Sequence, residues 1–145
     1  MSASAGSVTV RVLYADTDMA GVVYHANYLR FFEAARTQLM ADAGLAPVEV
    51  QDEHGIVFAV TSVTLQYHDP ARYGDELRIE VEPIKVGPAR FTLAYRVLRP
   101  GREDPSVTGT TTICALRFDA LGRETGKVVR LPAAMRAWLE SSISS

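Results

Sequence analysis

The spacing of apolar and polar positions changes twice along the chain, and those changes divide it into elements. From Val8 to Leu13 the period is two: Val8, Val10 and Val12 share one side and Thr9 and Arg11 the other, which predicts a strand. From about Asn27 to Ala43 the period is helical, with Tyr28, Phe32, Ala35 and Leu39 on one face and Arg30, Glu33 and Thr37 elsewhere. Leu29, Phe31, Ala34 and Met40 widen the apolar surface, so this helix should be covered on most of its sides. Gly44 stands where a C-terminal cap belongs, and Pro47 blocks continuation. From Ile56 the period returns to two. Val57, Ala59, Val63, Leu65 and Tyr67 alternate with Ser62, Thr64, Gln66 and His68; Leu77, Ile79 and Val81 alternate with Arg78, Glu80 and Glu82. Phe91, Leu93, Tyr95 and Val97 form a third set and residues Val107 to Phe118 a fourth. Asp69-Pro70, Gly74-Asp75, Gly87-Pro88, Pro100-Gly101 and Leu121-Gly122 supply the turns between them. A short helix is expected from near Pro132, packing Met135, Trp138 and Leu139.

The order is strand, one long apolar helix, then a meander of strands. That is an α+β pattern, with one helix laid on a curved antiparallel sheet. No linker, repeat or low-complexity tract interrupts it, so residues 1–145 form a single domain, with about 1–7 and 141–145 expected to fray.

Composition narrows the functional classes. At 48% hydrophobic and 22% charged residues the chain is ordinary globular protein. A net charge of −2 gives no global field for nucleic acid, so any polyanion must be held by a local basic cluster. The lone Cys114 cannot form an intrachain disulfide, and no secretory leader or membrane-length apolar run is seen. A soluble cytoplasmic protein is therefore expected. His54 and His68 lack the spacing of metal ligands, so no metal or other cofactor is expected, and Cys114 reads as an inert buried thiol.

The chemically informative stretch runs from Leu13 to Met40, LYADTDMAGVVYHANYLRFFEAARTQLM. Two carboxylates, Asp16 and Asp18, stand just before Gly21, and the predicted helix begins a few residues later. Unpaired N–H groups at a helix start can polarise a carbonyl or hold an oxyanion. A carboxylate facing the same carbonyl can attack it or activate a water. Residue types alone leave this open, because an aspartate in such a turn also serves as a cap or turn former.

The string DTDMAGVVYHANY resembles the signature of the hot-dog-fold acyl-CoA thioesterases of the 4-hydroxybenzoyl-CoA thioesterase family. It is most similar to the branch associated with the Tol–Pal envelope system, where a Tyr-His pair like Tyr24-His25 precedes the helix. A second patch, DPARYGDEL from Asp69 to Leu77, is similar to that family's loop between its second and third strands. The likeness runs from about Val8 to Leu131 and implies a sheet wrapped around one long central helix. It implies Asp18 as the catalytic carboxylate, nucleophile or general base, and the backbone N–H of His25 as oxyanion donor. Asp16 is left as a turn or cap residue. Gly21 would permit the backbone shape that brings Asp18 to the substrate, and Tyr24 joins His25 at the site. Tyr14 would hold the carboxylate, line the acyl pocket or, as an aromatic at a strand end, pack in the core. Lys85 and Arg90, flanking Gly87-Pro88, fall where the family places basic residues near the CoA phosphates.

Glu33 is a rival carboxylate, since a second hot-dog branch uses a helical glutamate, but its spacing favours pairing with Arg30 or Arg36. An enoyl-thioester hydratase needs an Asp-x-Asn-x-x-His or a His with a distant helical Glu, and Asp18 is followed by Met19 and Ala20. A non-catalytic acyl-CoA sensor or assembly partner would not need the intact Asp18, Gly21 and His25 set. The expectation is hydrolysis of a short-chain acyl-CoA, an aryl-CoA such as hydroxybenzoyl-CoA, or a thioester on acyl carrier protein. The apolar girth of the helix calls for a further cover, and the hot-dog resemblance implies what supplies it: a homodimer or homotetramer with sheets paired edge to edge and shared sites, the partner contributing from Gln51 to Val63.

Overall fold

A computed structural model describes residues 5–119, 121 and 123–143. The predicted helix is α1, Asn27–Asp42, and it buries Tyr28, Phe31, Phe32, Ala35, Leu39 and Met40. The four stripe residues are all inside; Phe31 and Met40 broaden the stripe, whereas Leu29 and Ala34 stay exposed. Gly44 ends the helix at φ 74°, where Leu45 N–H returns to the Met40 carbonyl at 2.8 Å.

Strands β1 (Gly6–Arg11), β2 (Ile56–Tyr67), β3 (Glu76–Val86), β4 (Arg90–Leu98), β5 (Val107–Phe118) and β6 (Glu124–Val128) form one antiparallel sheet. The strand order is β1-β3-β4-β5-β2, with β6 also pairing β5. Along β3 and β4 the alternation is resolved as expected: Leu77, Ile79, Val81, Phe91, Leu93, Tyr95 and Val97 are buried while Glu76, Arg78 and Arg96 face water. One core holds these residues with the α1 stripe and with Met135 and Leu139 of α3, Ala133–Ile143. Each large side chain so buried contributes roughly 1.5–3 kcal/mol. Phe32 stacks flat on Tyr95, ring centroids 4.2 Å apart and planes 5° from parallel. It does so across Gly109, the register partner of Tyr95, where a Cβ would stand 2.8 Å from the Phe32 ring.

Several expectations are corrected. The start does not fray at residues 6 and 7, because Gly6 and Ser7 pair with Val81 and Glu80 in β1. Ser141 to Ile143 belong to α3; residues 1–4, 144 and 145 lie outside the described residues. Pro47 does not merely stop α1 but opens a second helix, α2, Pro47–His54, since a proline at the first helical position forfeits no hydrogen bond. Strand β6 was also unpredicted; two register pairs, Leu116 with Val128 and Phe118 with Glu124, tie it to β5. The β2 alternation is broken by a bulge between Val60 and Ser62, which leaves Val60 and Val63 both exposed. Among the described residues, no strand pairs with the second edge of β2.

Candidate active site

The site grows out of the chain that leaves β1. Val12 is buried, and a single 3₁₀ turn, Tyr14–Asp16, follows. Asp16 is 5% exposed; one carboxylate oxygen accepts the Leu13 N–H at 2.8 Å and the other accepts from Arg30 on α1. Its carbonyl accepts the Tyr24 N–H and the Asn27 side-chain amide, both at 2.9 Å. Asp16 therefore fastens the loop to the start of α1, the structural role read from its place in the turn.

Two residues on, Asp18 is exposed and held differently. Its N–H donates to the Val22 carbonyl at 2.9 Å and its carbonyl accepts the Gly21 N–H at 3.0 Å, a tight turn that Gly21 closes at φ 79°. Asp18 Oδ1 accepts the Ala20 N–H at 2.8 Å. Beyond the turn, Thr17 bridges Val23, and Val23 N–H donates to the Ala71 carbonyl at 2.9 Å, so the loop after β2 backs the Asp18 turn. Asp18 forms a wall shared by two depressions. A cleft of about 320 Å³ is lined by Asp18, His25, Tyr28, Tyr67, His68 and Asp69 among others. A wider one of about 1010 Å³ is lined by Tyr14, Met19, Gly21 and Tyr73. His25 sits at the entry to α1 with the Tyr24 ring 4.4 Å from its own. Among the described residues no group accepts the His25 N–H. Asp18 and His25, the latter with an N–H that has no acceptor among the described residues, thus line one cleft, a pairing of residues suited to a carbonyl that gains negative charge.

A family model described as the thioesterase-like superfamily matches residues 12–139. The chain belongs to this family. A 1,4-dihydroxy-2-naphthoyl-CoA hydrolase of Thermosynechococcus vestitus is 31% identical over 131 residues, 90% of this chain and 86% of its own. An acyl-CoA thioesterase, YbgC, of Haemophilus influenzae is 38% identical over 93 residues, 64% of this chain and 68% of its own. In fold the chain is similar to 4-hydroxybenzoyl CoA thioesterase, at a TM-score of 0.81 and 24% identity over 96% of this chain and 99% of that one. The protein is a thioester hydrolase with the hot-dog fold, as the motif around Asp18 led us to expect.

Not every residue singled out in this thioesterase gathers at Asp18. His25 shares the narrower cleft with Asp18, and Gly21 and Tyr14 share the wider one; Tyr24 lines neither and lies against the His25 ring. Tyr14 does not pack in the core; it is 81% exposed, edge-on to Tyr73 at 6.3 Å. Lys85 and Arg90 lie at the other end of the sheet: Tyr67 pairs Val107 whereas Arg90 pairs Cys114, seven residues further along β5, or roughly 23 Å. Glu33 does not pair with Arg30 or Arg36 as expected. Arg30 is taken by Asp16, and Glu33 instead lines a cleft of about 290 Å³ between α1, α2 and β2, with Arg36, Gln51 and Phe58. His54 lies 3.7 Å from Glu53, His68 bonds Thr108 at 3.2 Å, and Cys114 is buried and free. Among the described residues, no three metal-binding side chains converge and no helix is long and apolar enough to cross a membrane.

Sequence reasoning missed the contribution of the end of β2. Tyr67 donates its hydroxyl to the His25 carbonyl at 2.9 Å, and His68 and Asp69 line the cleft. Asp69 also accepts from Arg99 at 2.8 Å, and Arg99 donates to Asp75 at 3.2 Å. The Arg99 hydrogen bond holds the Asp69 carboxyl below the usual carboxylate range. Burial raises the phenols of Tyr28 and Tyr67 above the ordinary tyrosine value. The signal that pointed this way was the DPARYGDEL patch, whose first residue is Asp69.

Proposed function

We propose that this thioesterase hydrolyses acyl-CoA or aryl-CoA thioesters to the free acid and CoA, with Asp18 as its catalytic carboxylate. The observation that supports the reading is that Asp18 and His25, whose N–H has no acceptor among the described residues, line the same cleft. Ala20 occupies Oδ1, which leaves Oδ2 for chemistry. As general base, Asp18 takes a proton from water while the water oxygen bonds to the thioester carbon. The carbonyl oxygen becomes an oxyanion held by the α1 start. Collapse breaks the C–S bond, and the thiolate takes the proton from Asp18. As nucleophile, Oδ2 bonds to the carbon directly, the thiolate leaves, and water cleaves the resulting anhydride. The named relatives act on an aryl-CoA and on acyl-CoA. The Tyr28 and Tyr67 rings in the cleft, edge-on at 5.8 Å, favour a flat acyl group. The same thioester on a carrier protein is the alternative form of substrate.

The open edge of β2 supports a homodimer, or a pair of dimers. Two β2 edges joined antiparallel about a twofold axis would set the Arg90 end of one sheet beside the Asp18 end of the other. Lys85, Arg90 and the cleft holding Gln51 and Phe58 would then come to each site from the partner. A cytoplasmic location fits the free, buried Cys114. The test is turnover of benzoyl-CoA and a short acyl-CoA by the wild type and by Asp18→Asn. Hydrolysis of at least one substrate, lost about 10²-fold or more on substitution, is expected. A near wild-type rate in the variant would transfer the role to Glu33.

A further inference from the structure

We infer that Tyr67 is a positioning residue for the oxyanion-binding turn: its hydroxyl clamps the His25–Ala26 peptide so that the N–H groups of His25 and Ala26, at the entry to α1, are held towards the cleft. The inference rests on the reading of the α1 start as the oxyanion site. The entry to α1 is irregular. Asn27 N–H donates to the Tyr24 carbonyl at 2.9 Å and Leu29 N–H to the Ala26 carbonyl at 3.2 Å, and the His25 carbonyl between them takes the Tyr67 hydroxyl instead, at 2.9 Å. Ala26 is the residue that caps the helix, so the peptide held by Tyr67 is the one that leads into the cap. A hydrogen bond to that carbonyl fixes the plane of the peptide and polarises its N–H, that of Ala26, across the amide. Among the described residues neither the His25 nor the Ala26 N–H has an acceptor.

Tyr67 is built for such a hold. It ends β2, pinned by its register with Val107, and its ring leans edge-on against Tyr28, which is 2% exposed. Tyr28 in turn accepts the Ala71 N–H at 3.4 Å from the loop that backs the Asp18 turn. The raised phenol keeps Tyr67 a donor through neutral and mildly alkaline pH.

The experiment is Tyr67→Phe, which keeps the ring against Tyr28 and removes the hydroxyl alone. Full loss of an oxyanion donor costs about 10²–10³-fold in kcat, so loss of its support should cost about 10-fold, with KM within about twofold. A second readout uses the Asp18→Asn protein, which should hold intact thioester, loaded with benzoyl-CoA carrying ¹³C at the carbonyl. Adding Tyr67→Phe should move the carbonyl stretch back towards the free thioester. A fluorinated tyrosine at 67, whose hydroxyl ionises at lower pH, should bring the alkaline fall in kcat to lower pH. Unchanged kcat, or a lowered kcat with an unmoved stretch, overturns the inference while leaving the Asp18 reading intact. Turnover persisting in Asp18→Asn instead overturns the reading beneath it.

Discussion

Asp16 and Asp18 stand two residues apart, and their surroundings predict opposite consequences for the same substitution. In Asp16→Asn the amide keeps the shape, but it has one acceptor atom where the carboxylate had two. Either the Leu13 N–H or the Arg30 guanidinium then meets an amide N–H rather than an oxygen. The Asp16 side chain is only 6% exposed, so an unpaired group there costs about 1–3 kcal/mol. Arg30 is 56% exposed and can turn to water, so loss of its ion pair adds at most about 1 kcal/mol. A total near 2 kcal/mol should lower Tm by about 4–8 °C for a chain of this size. Native stabilities of about 5–15 kcal/mol leave the protein folded at 25 °C, so kcat should stay within several-fold of wild type. Asp18→Asn reverses both outcomes. Its side chain is exposed and the asparagine oxygen can still accept the Ala20 N–H, so Tm should move by no more than about 1–2 °C. Its kcat should fall about 10²-fold or more. The assay is paired thermal denaturation and single-substrate turnover on the same preparations. An Asp16→Asn protein that keeps its Tm while losing turnover would show that the two roles have been exchanged.

Three further outcomes are expected. Gly109→Ala places a Cβ 2.4 Å from the Thr64 carbonyl oxygen and 2.8 Å from Phe32, so strand and helix must part; a loss of about 1–3 kcal/mol in denaturant unfolding is expected, and an unchanged midpoint would deny the close approach. Asp69 has a folded pKa below its unfolded one, so its contribution is present above the ordinary carboxylate range and is lost as pH falls through the lowered value. Arg99→Gln should therefore move the acid-unfolding midpoint, followed by circular dichroism, to higher pH, and no movement would mean the pair is idle. Mixing Asp18→Asn chains with chains carrying Gln51→Ala and Phe58→Ala should restore activity at one of the two sites in each mixed dimer; a fully active monomer on sedimentation would rule out shared sites.

What the sequence determined by itself was local. The faces of α1, the alternation in β3 and β4, the Gly44 stop and the Asp18–Gly21 turn were all legible, because each depends on hydrogen bonds and side-chain spacing within a few residues. Helix α2 was not: Val50 is its one buried residue and Val48 faces water, so no apolar period announces it. The partners of Arg30 and Glu33 could not be chosen by spacing either. Helical spacing offers both of them each other, whereas the buried Asp16 carboxylate, fourteen positions away, takes Arg30 in the fold. Tyr67 reaches His25 across forty-two positions, and Arg90 ends far from Asp18, for one reason. The order β1-β3-β4-β5-β2 and the register of β2 on β5 decide which strand ends meet. Those are set by how the apolar faces of all the strands pack together around α1, a sum over the whole core that no short window of sequence contains.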